Sequence, residues 1–152
     1  MATYTKFQAF VGDLVNKVHD LVGTSPGSDC DVLKVYLTNT APNAAAHAVK
    51  ADLAEISTGN GYTGPVAITN NGANSGGTLT LSGLSVQIAA SGGTIGPFRY
   101  VVLYNDTPTS PLDPLIAYAD YGAALTLQAG ETFDIKFNSA AVGARGNILT
   151  VA

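Results

Sequence analysis

Between residues 5 and 22, in TKFQAFVGDLVNKVHDLV, apolar side chains fall at Phe7, Phe10, Val11, Leu14, Val15, Val18, Leu21 and Val22. Steps of three and one repeat along a single face of an α-helix. The spacing predicts an amphipathic helix over 5–22, with Thr3 or Thr5 able to cap its start and Gly23 its end. Its apolar face, Phe7, Phe10, Val11, Leu14, Val15, Val18 and Leu21, needs cover. The cover is expected to be the chain's own β framework, with a neighbouring molecule as the alternative.

After a Pro/Gly/Ser loop at 24–31 the period changes to two. VLKVYLTN (32–39) alternates Leu33, Val35 and Leu37 on one side. Further strands are predicted at 61–69, 77–83, 84–90, 98–105, 114–122, 123–128, 131–138 and 147–152. NNGANSGG (70–77) and Ser82-Gly83 read as separators, and Gln128-Ala129-Gly130 as a tight hairpin turn. Residues 41–56 are ambiguous: their alanines favour a helix, but a long ordered connection fits equally. VYLTNTAP (35–42) and VVLYNDTP (101–108) echo each other, each a strand closing on an Asn turn before proline. About eight short strands at turn-rich spacing predict a mainly β fold. It is expected to be an antiparallel β-sandwich, jelly-roll-like, with one N-terminal amphipathic α-helix. The whole of 1–152 reads as a single domain, with the sandwich at 32–152.

Composition sharpens this picture. Charged residues make up 12% of the 152, against roughly 25% in an average soluble domain. The polar surface must therefore come from Thr, Asn, Ser and Gly, and like-charge repulsion protects it poorly against association. The seven Lys and Arg (6, 17, 34, 50, 99, 136, 145) form no run and the net charge is −4, so no nucleic-acid partner is expected. MATYTKFQAF lacks the basic and apolar regions of a signal peptide, and no apolar run approaches a membrane span. Cys30 is the one cysteine. No internal disulfide can form, which leaves a reduced thiol or an intermolecular bridge.

Candidate chemistry is sparse. His19, beside Asn16, Lys17 and Asp20, falls on the solvated face of the predicted helix. His47 has no partner at ligand spacing. GNGYTG (59–64) lacks the flanking strand and helix of a phosphate cradle and reads as a turn. Asp29 and Asp31 flank Cys30 without the other oxygen ligands of a calcium loop. Asp113, Asp120, Glu131 and Asp134 lie on or near strands, but no spacing singles out two as an acid and base pair. The chain is expected to be no enzyme, with no catalytic residues, no metal and no cofactor. Arg99 stands out in PFRYVVLY. Period two puts Phe98, Tyr100, Val102 and Tyr104 on one face and Arg99, Val101 and Leu103 on the other. A carboxylate such as Asp120 would make Arg99 a structural strut; otherwise it is an interface contact. Tyr62, Tyr118 and Tyr121 are the candidates for a glycan-binding row, a weak one without tryptophan.

The order KFQAFVGDLVNKVHDL, LKVYLTNTAPN, EISTGNGYTG, GGTIGPFRYVVLYNDTP, PLIAYADYG and LTLQAGETFDIKFN resembles a group of small virion structural proteins of tailed bacteriophages. The resemblance covers almost the whole chain, and GPFRYVVLYNDTP followed by YADYG is its most specific part. GTSPGSDCD and TSPLDPL depart from the shorter members of that group as insertions. The resemblance implies a head-associated role. The expected function is a capsid decoration or cement protein that binds and stabilises the assembled head. A tail, neck or head-fibre component, with a host-surface glycan-binding role, is the alternative. The implied partners are the major capsid protein or other virion proteins, and further copies of the chain in a homo-oligomer, with a trimer favoured. No membrane is implied. The implied location is the virion, after synthesis in the host bacterial cytoplasm.

Overall fold

The computed structural model describes residues 3–24, 28–139 and 141–152. Part of the loop predicted at 24–31, residues 25–27, lies outside the described residues. Ten strands appear: β1 (Tyr4–Lys6), β2 (Leu33–Thr38), β3 (Val66–Ile68), β4 (Asn70–Ser75), β5 (Thr78–Leu84), β6 (Val86–Ala89), β7 (Ile95–Asn105), β8 (Leu115–Leu127), β9 (Thr132–Ile135) and β10 (Arg145–Val151). They form antiparallel sheets in the orders β1-β8-β7-β2-β3, β10-β5-β4 and β6-β9. The fold is mainly β with one α-helix, as the period of two predicts.

The helix itself differs from the expectation. α1 covers only Ala9–Val15, and the start of the predicted helix is β1, paired with β8 from Tyr4↔Ala119 to Lys6↔Ala117. Pairing to a neighbouring strand outweighs helical spacing here, since Thr5 and Tyr4 suit a strand. Neither Thr3 nor Thr5 caps the helix; its N-cap is Gln8, with no side-chain cap bond. Gly23 does not close it either. Asn16 is the C-cap and Lys17 turns into the left-handed region at φ 60°. Gly12 inside the helix and Asn16 at its end both weaken further propagation.

Other expectations change: Ser82-Gly83 lie inside β5 and separate nothing, the break before β6 falling at Ser85. NNGANS is strand β4, not a separator: it forms a hairpin with β5 through Ser75↔Thr78, and Gly76 and Gly77 supply the positive φ of the turn. Residues 114–122 and 123–128 are one strand, β8, not two. The turn at 128–130 joins strands of different sheets, because β9 pairs with β6 while β8 pairs with β7 and β1. Glu131 N–H donates to Gln128 O at 2.9 Å, so the turn is tight but is not a hairpin.

Side chains from all three sheets meet in the main apolar core. Leu33, Val35 and Leu37 of β2, Leu81 of β5, Ile88 of β6, Ile135 of β9 and Ile148 of β10 all belong to it. This is sandwich-like packing, with burial at about 25 cal/mol per Å² of apolar surface as its driving force. The opposite face of the five-stranded sheet is also covered. Phe7, Tyr36, Leu53, Val102, Tyr104 and Leu115 form a second cluster there. Its lid is the 41–56 segment, which is an ordered connection with one 3₁₀ turn at Lys50–Asp52. The Asp52 carboxylate accepts the Ala48 and Val49 N–H groups at 2.8 and 3.0 Å, which hold its pKa below the usual range. Gln8 N–H donates to Ala44 O and Leu115 N–H to Ala48 O, which seats the connection on the sheet.

Candidate functional site

Arg99 lies on β7 and Asp120 on β8, opposite Tyr100 in the register. The guanidinium grips the carboxylate through both oxygens, Nε to Oδ1 at 2.7 Å and Nη2 to Oδ2 at 2.8 Å. The arginine holds the Asp120 carboxyl below the usual range, and the Gly122 N–H, donated to Oδ1 at 2.7 Å, adds to this. The same contact raises Arg99. Both side chains remain 39% exposed, so solvent screens the pair and its contribution to stability is small. Arg99→Ala is expected to shift the melting temperature only slightly. A thermal melt showing a loss as large as a core truncation would count against this reading.

The faces of β7 are not those that strict alternation gives. Val102 and Tyr104 belong to the second cluster, but Phe98 joins Val101 and Leu103 in the main core. The cause is a register shift between Phe98 and Tyr100, where a bulge changes the side on which residues fall.

The predicted apolar helix face is divided by the real geometry. Phe7, Phe10 and Leu21 are buried; Leu14 and Val18 are half-buried; Val11 and Val15 point outward, Val15 at 79% exposure. Phe7 precedes the helix, and Val18 and Leu21 follow it. The glycan row does not form either. Tyr62 is buried, its hydroxyl donating to Glu55 Oε1 at 2.6 Å and accepting Leu37 N–H at 3.1 Å. Tyr118 stacks at a tilt on Phe7, so Tyr121 alone of the three stands exposed.

A polar cluster that periodicity misplaced lies where residues 16–24 and 28–31 meet the end of β7. His19 is buried and not on a solvated face, because the helix ends before reaching it. Its Nδ1 lies 2.9 Å from Asn105 Nδ2, and its ring lies against Phe10 at 5.1 Å. Asn105 Nδ2 also donates to Asp31 Oδ2 at 2.6 Å, and its Oδ1 accepts Thr107 N–H at 3.1 Å. Asp31 Oδ2 accepts the Asp20 N–H at 2.8 Å. Asn70 Nδ2 reaches Asp31 O at 3.1 Å and Cys30 Sγ at 3.5 Å. Burial lowers the pKa of His19, while Asp13 and Asp31 raise it. The group contains histidine, cysteine and carboxylates, but its bonds run to backbone and amide groups that tie one segment to another. No group of three or more His, Cys, Asp or Glu side chains among the described residues is placed to hold a metal ion.

A second network crosses the covered face of the sheet. Lys50 Nζ pairs with Glu55 Oε2 at 2.8 Å and stands 5.0 Å from the Tyr36 ring centroid and 5.8 Å from that of Tyr104. Tyr104 donates to Asp106 Oδ1 at 3.1 Å, and Lys34 Nζ holds Asp106 Oδ2 at 2.7 Å. One groove of about 230 Å³ opens between β8 and β9, with Tyr4, Ala119, Tyr121, Phe133 and Ile135 among its walls. The charged groups there, Asp134 and Lys136, face each other at 3.7 Å. No helix of the described residues is long and apolar enough to cross a membrane. Compared with protein-family models, with curated proteins and with solved structures, the chain gives no match.

Proposed function

We propose that this chain is a structural protein of a tailed-bacteriophage virion, a head decoration protein that binds the assembled capsid and stabilises it. The observation that carries the reading is the state of its charges and apolar surface. In a chain with 12% charged residues, Lys34, Lys50, Arg99 and Lys136 are each paired with a carboxylate of the same molecule. Large apolar side chains meanwhile stand exposed at Val15, Leu112 and Tyr121. A surface of that kind suits many small, close contacts repeated over a lattice, where avidity makes weak contacts sufficient. Binding to the closed lattice in preference to the open one stabilises the head by mass action. The resemblance of GPFRYVVLYNDTP and YADYG to small phage virion proteins points the same way. On this reading the protein acts as a homo-oligomer, and a trimer fits the three-fold positions of an icosahedral shell.

Quantifying the chain in purified particles tests the proposal. Hundreds of copies per particle, with heads lacking it rupturing at lower temperature, are the expected result. Six or twelve copies would move it to the neck or tail. Absence from the particle would overturn the virion reading altogether. Sedimentation of the isolated protein as monomer only, together with single monomers on the shell, would overturn the trimer.

A further inference from the structure

We propose that His19 is an acid-operated latch: neutral, it fastens residues 16–24 over the end of β7, and protonated, it lets that segment open while the sheets stay folded. Asn105 cannot turn its amide over, because Oδ1 is needed by Thr107 N–H and Nδ2 by the acceptor-only Asp31 carboxylate. The remaining Nδ2 hydrogen therefore points at His19 Nδ1, which must accept it. The ring proton is then on Nε2, and that nitrogen is buried with no hydrogen-bond partner among the described residues. A second proton has only Nδ1 to occupy, and there it would meet the Asn105 NH₂ head-on. The protonated ring must leave Asn105.

A destination lies beside it. Asp13 Oδ2 on α1 stands 4.0 Å from Nε2, beyond hydrogen-bond reach but close enough to draw the cation. The charged groups facing the ring are Asp13 from α1 and Asp31 from the connection into β2; β7 presents neutral Asn105, and α1 adds the Phe10 ring. Besides its bonds back to α1, such as Val18 N–H to Asp13 O at 2.9 Å, and Thr24 Oγ1 to Asp29 Oδ2 at 2.6 Å, the fastened segment has few other ties. Asp20 and Asp31 exchange bonds at 2.8 and 2.7 Å, Leu21 inserts into the core, and the Leu21 backbone rests on β4 where Gly72 leaves no room for a Cβ. β7, by contrast, is paired on both sides from Tyr100 to Tyr104, beside Asn105, so the segment is the cheaper unit to open. The inference concerns the fold and does not depend on the virion reading.

Hydrogen exchange of the full chain between pH 7.5 and 5.0, corrected for the intrinsic pH dependence of exchange, tests the latch. An imidazole that is harder to protonate closed than open loses the closed state below the ordinary histidine value of 6.5. Protection of residues 18–22 should fall as the pH drops below that value, by at most about tenfold per pH unit, while β7 and β8 stay protected. His19→Gln, whose Oε1 can accept from Asn105 but cannot be protonated, should remove the pH dependence. A flat wild-type profile, the same slope in His19→Gln, or parallel loss of protection in β7 and β8 would each overturn the latch. Should His19→Gln not fold, nitrogen chemical shifts of the wild-type ring decide. An Nε2–H tautomer titrating below 6.5, followed by the amide shifts of residues 20–22, supports the latch. Titration at or above 6.5 overturns it.

Discussion

Deleting residues 2–22 is expected to leave a chain that does not fold. Phe7 fills the second cluster, and Phe10 and Leu21 fill the main one, all buried. Burying each contributes about 1.5–3 kcal/mol, so the three together supply roughly 5–9 kcal/mol. That is of the order of the ~5–15 kcal/mol that holds a domain together, before the ladder of β1 on β8 is added. The loss also falls on both faces of the five-stranded sheet, so no repacking of one core compensates for the other. Solubility and near-UV circular dichroism read the result: an aggregated or unstructured product is expected. A soluble truncation with a cooperative melt would mean that the N-terminal segment serves a neighbour instead. Val15→Ser is the internal control, since Val15 stands outside both cores and its loss should leave the melt almost unchanged.

That contrast shows how much of the fold the amino-acid pattern carries. Alternation in VLKVYL places Leu33, Val35 and Leu37 in the main core, where they lie. It misses that Tyr36 on the other face is buried too, because the 41–56 connection that covers it has no period of its own. NNGANS has a loop's composition, and only its ladder to β5 makes it a strand. The Arg99–Asp120 contact was legible because both residues lie on strongly patterned strands that pair directly. His19 was not. A helical period can be read through any sequence whose spacing allows it, and Asn16 is only a weak local mark of the end of α1 at Val15. The two echoing Asn turns make the same point. Asn39 is exposed and Asn105 is fully buried, yet both stand at a strand's end three residues before a proline. What separates them is the segment that happens to lie across each, a long-range property.

Asn105→Ala is therefore expected to cost far more than its place in a turn suggests. The truncation removes the Asn105 partner of buried His19 Nδ1, one donor to Asp31 and the acceptor of Thr107 N–H. Leaving buried polar groups unpaired costs about 1–3 kcal/mol each, and more beside a charge. A loss of about 3–5 kcal/mol follows, equivalent to a fall of roughly 6–20 °C in melting temperature for a chain of this length. Asn105→Asp separates this account from simple packing loss. It keeps the shape but sets a second carboxylate 2.6 Å from Asp31, where the amide had donated. Two carboxylates that close cannot both ionise without a large penalty, so this variant should be least stable at neutral pH. The wild type has the opposite slope near histidine titration: with His19 lowered in the fold, its contribution is complete above 6.5 and is lost as the pH falls. Acid should thus weaken the wild type and strengthen Asn105→Asp, whose new carboxylate either takes up a proton or pairs with protonated His19. Denaturant midpoints at pH 7.5 and 5.5 for the two proteins read the crossing directly, and parallel slopes would show that Asn105 fills space without setting the protonation of its neighbours.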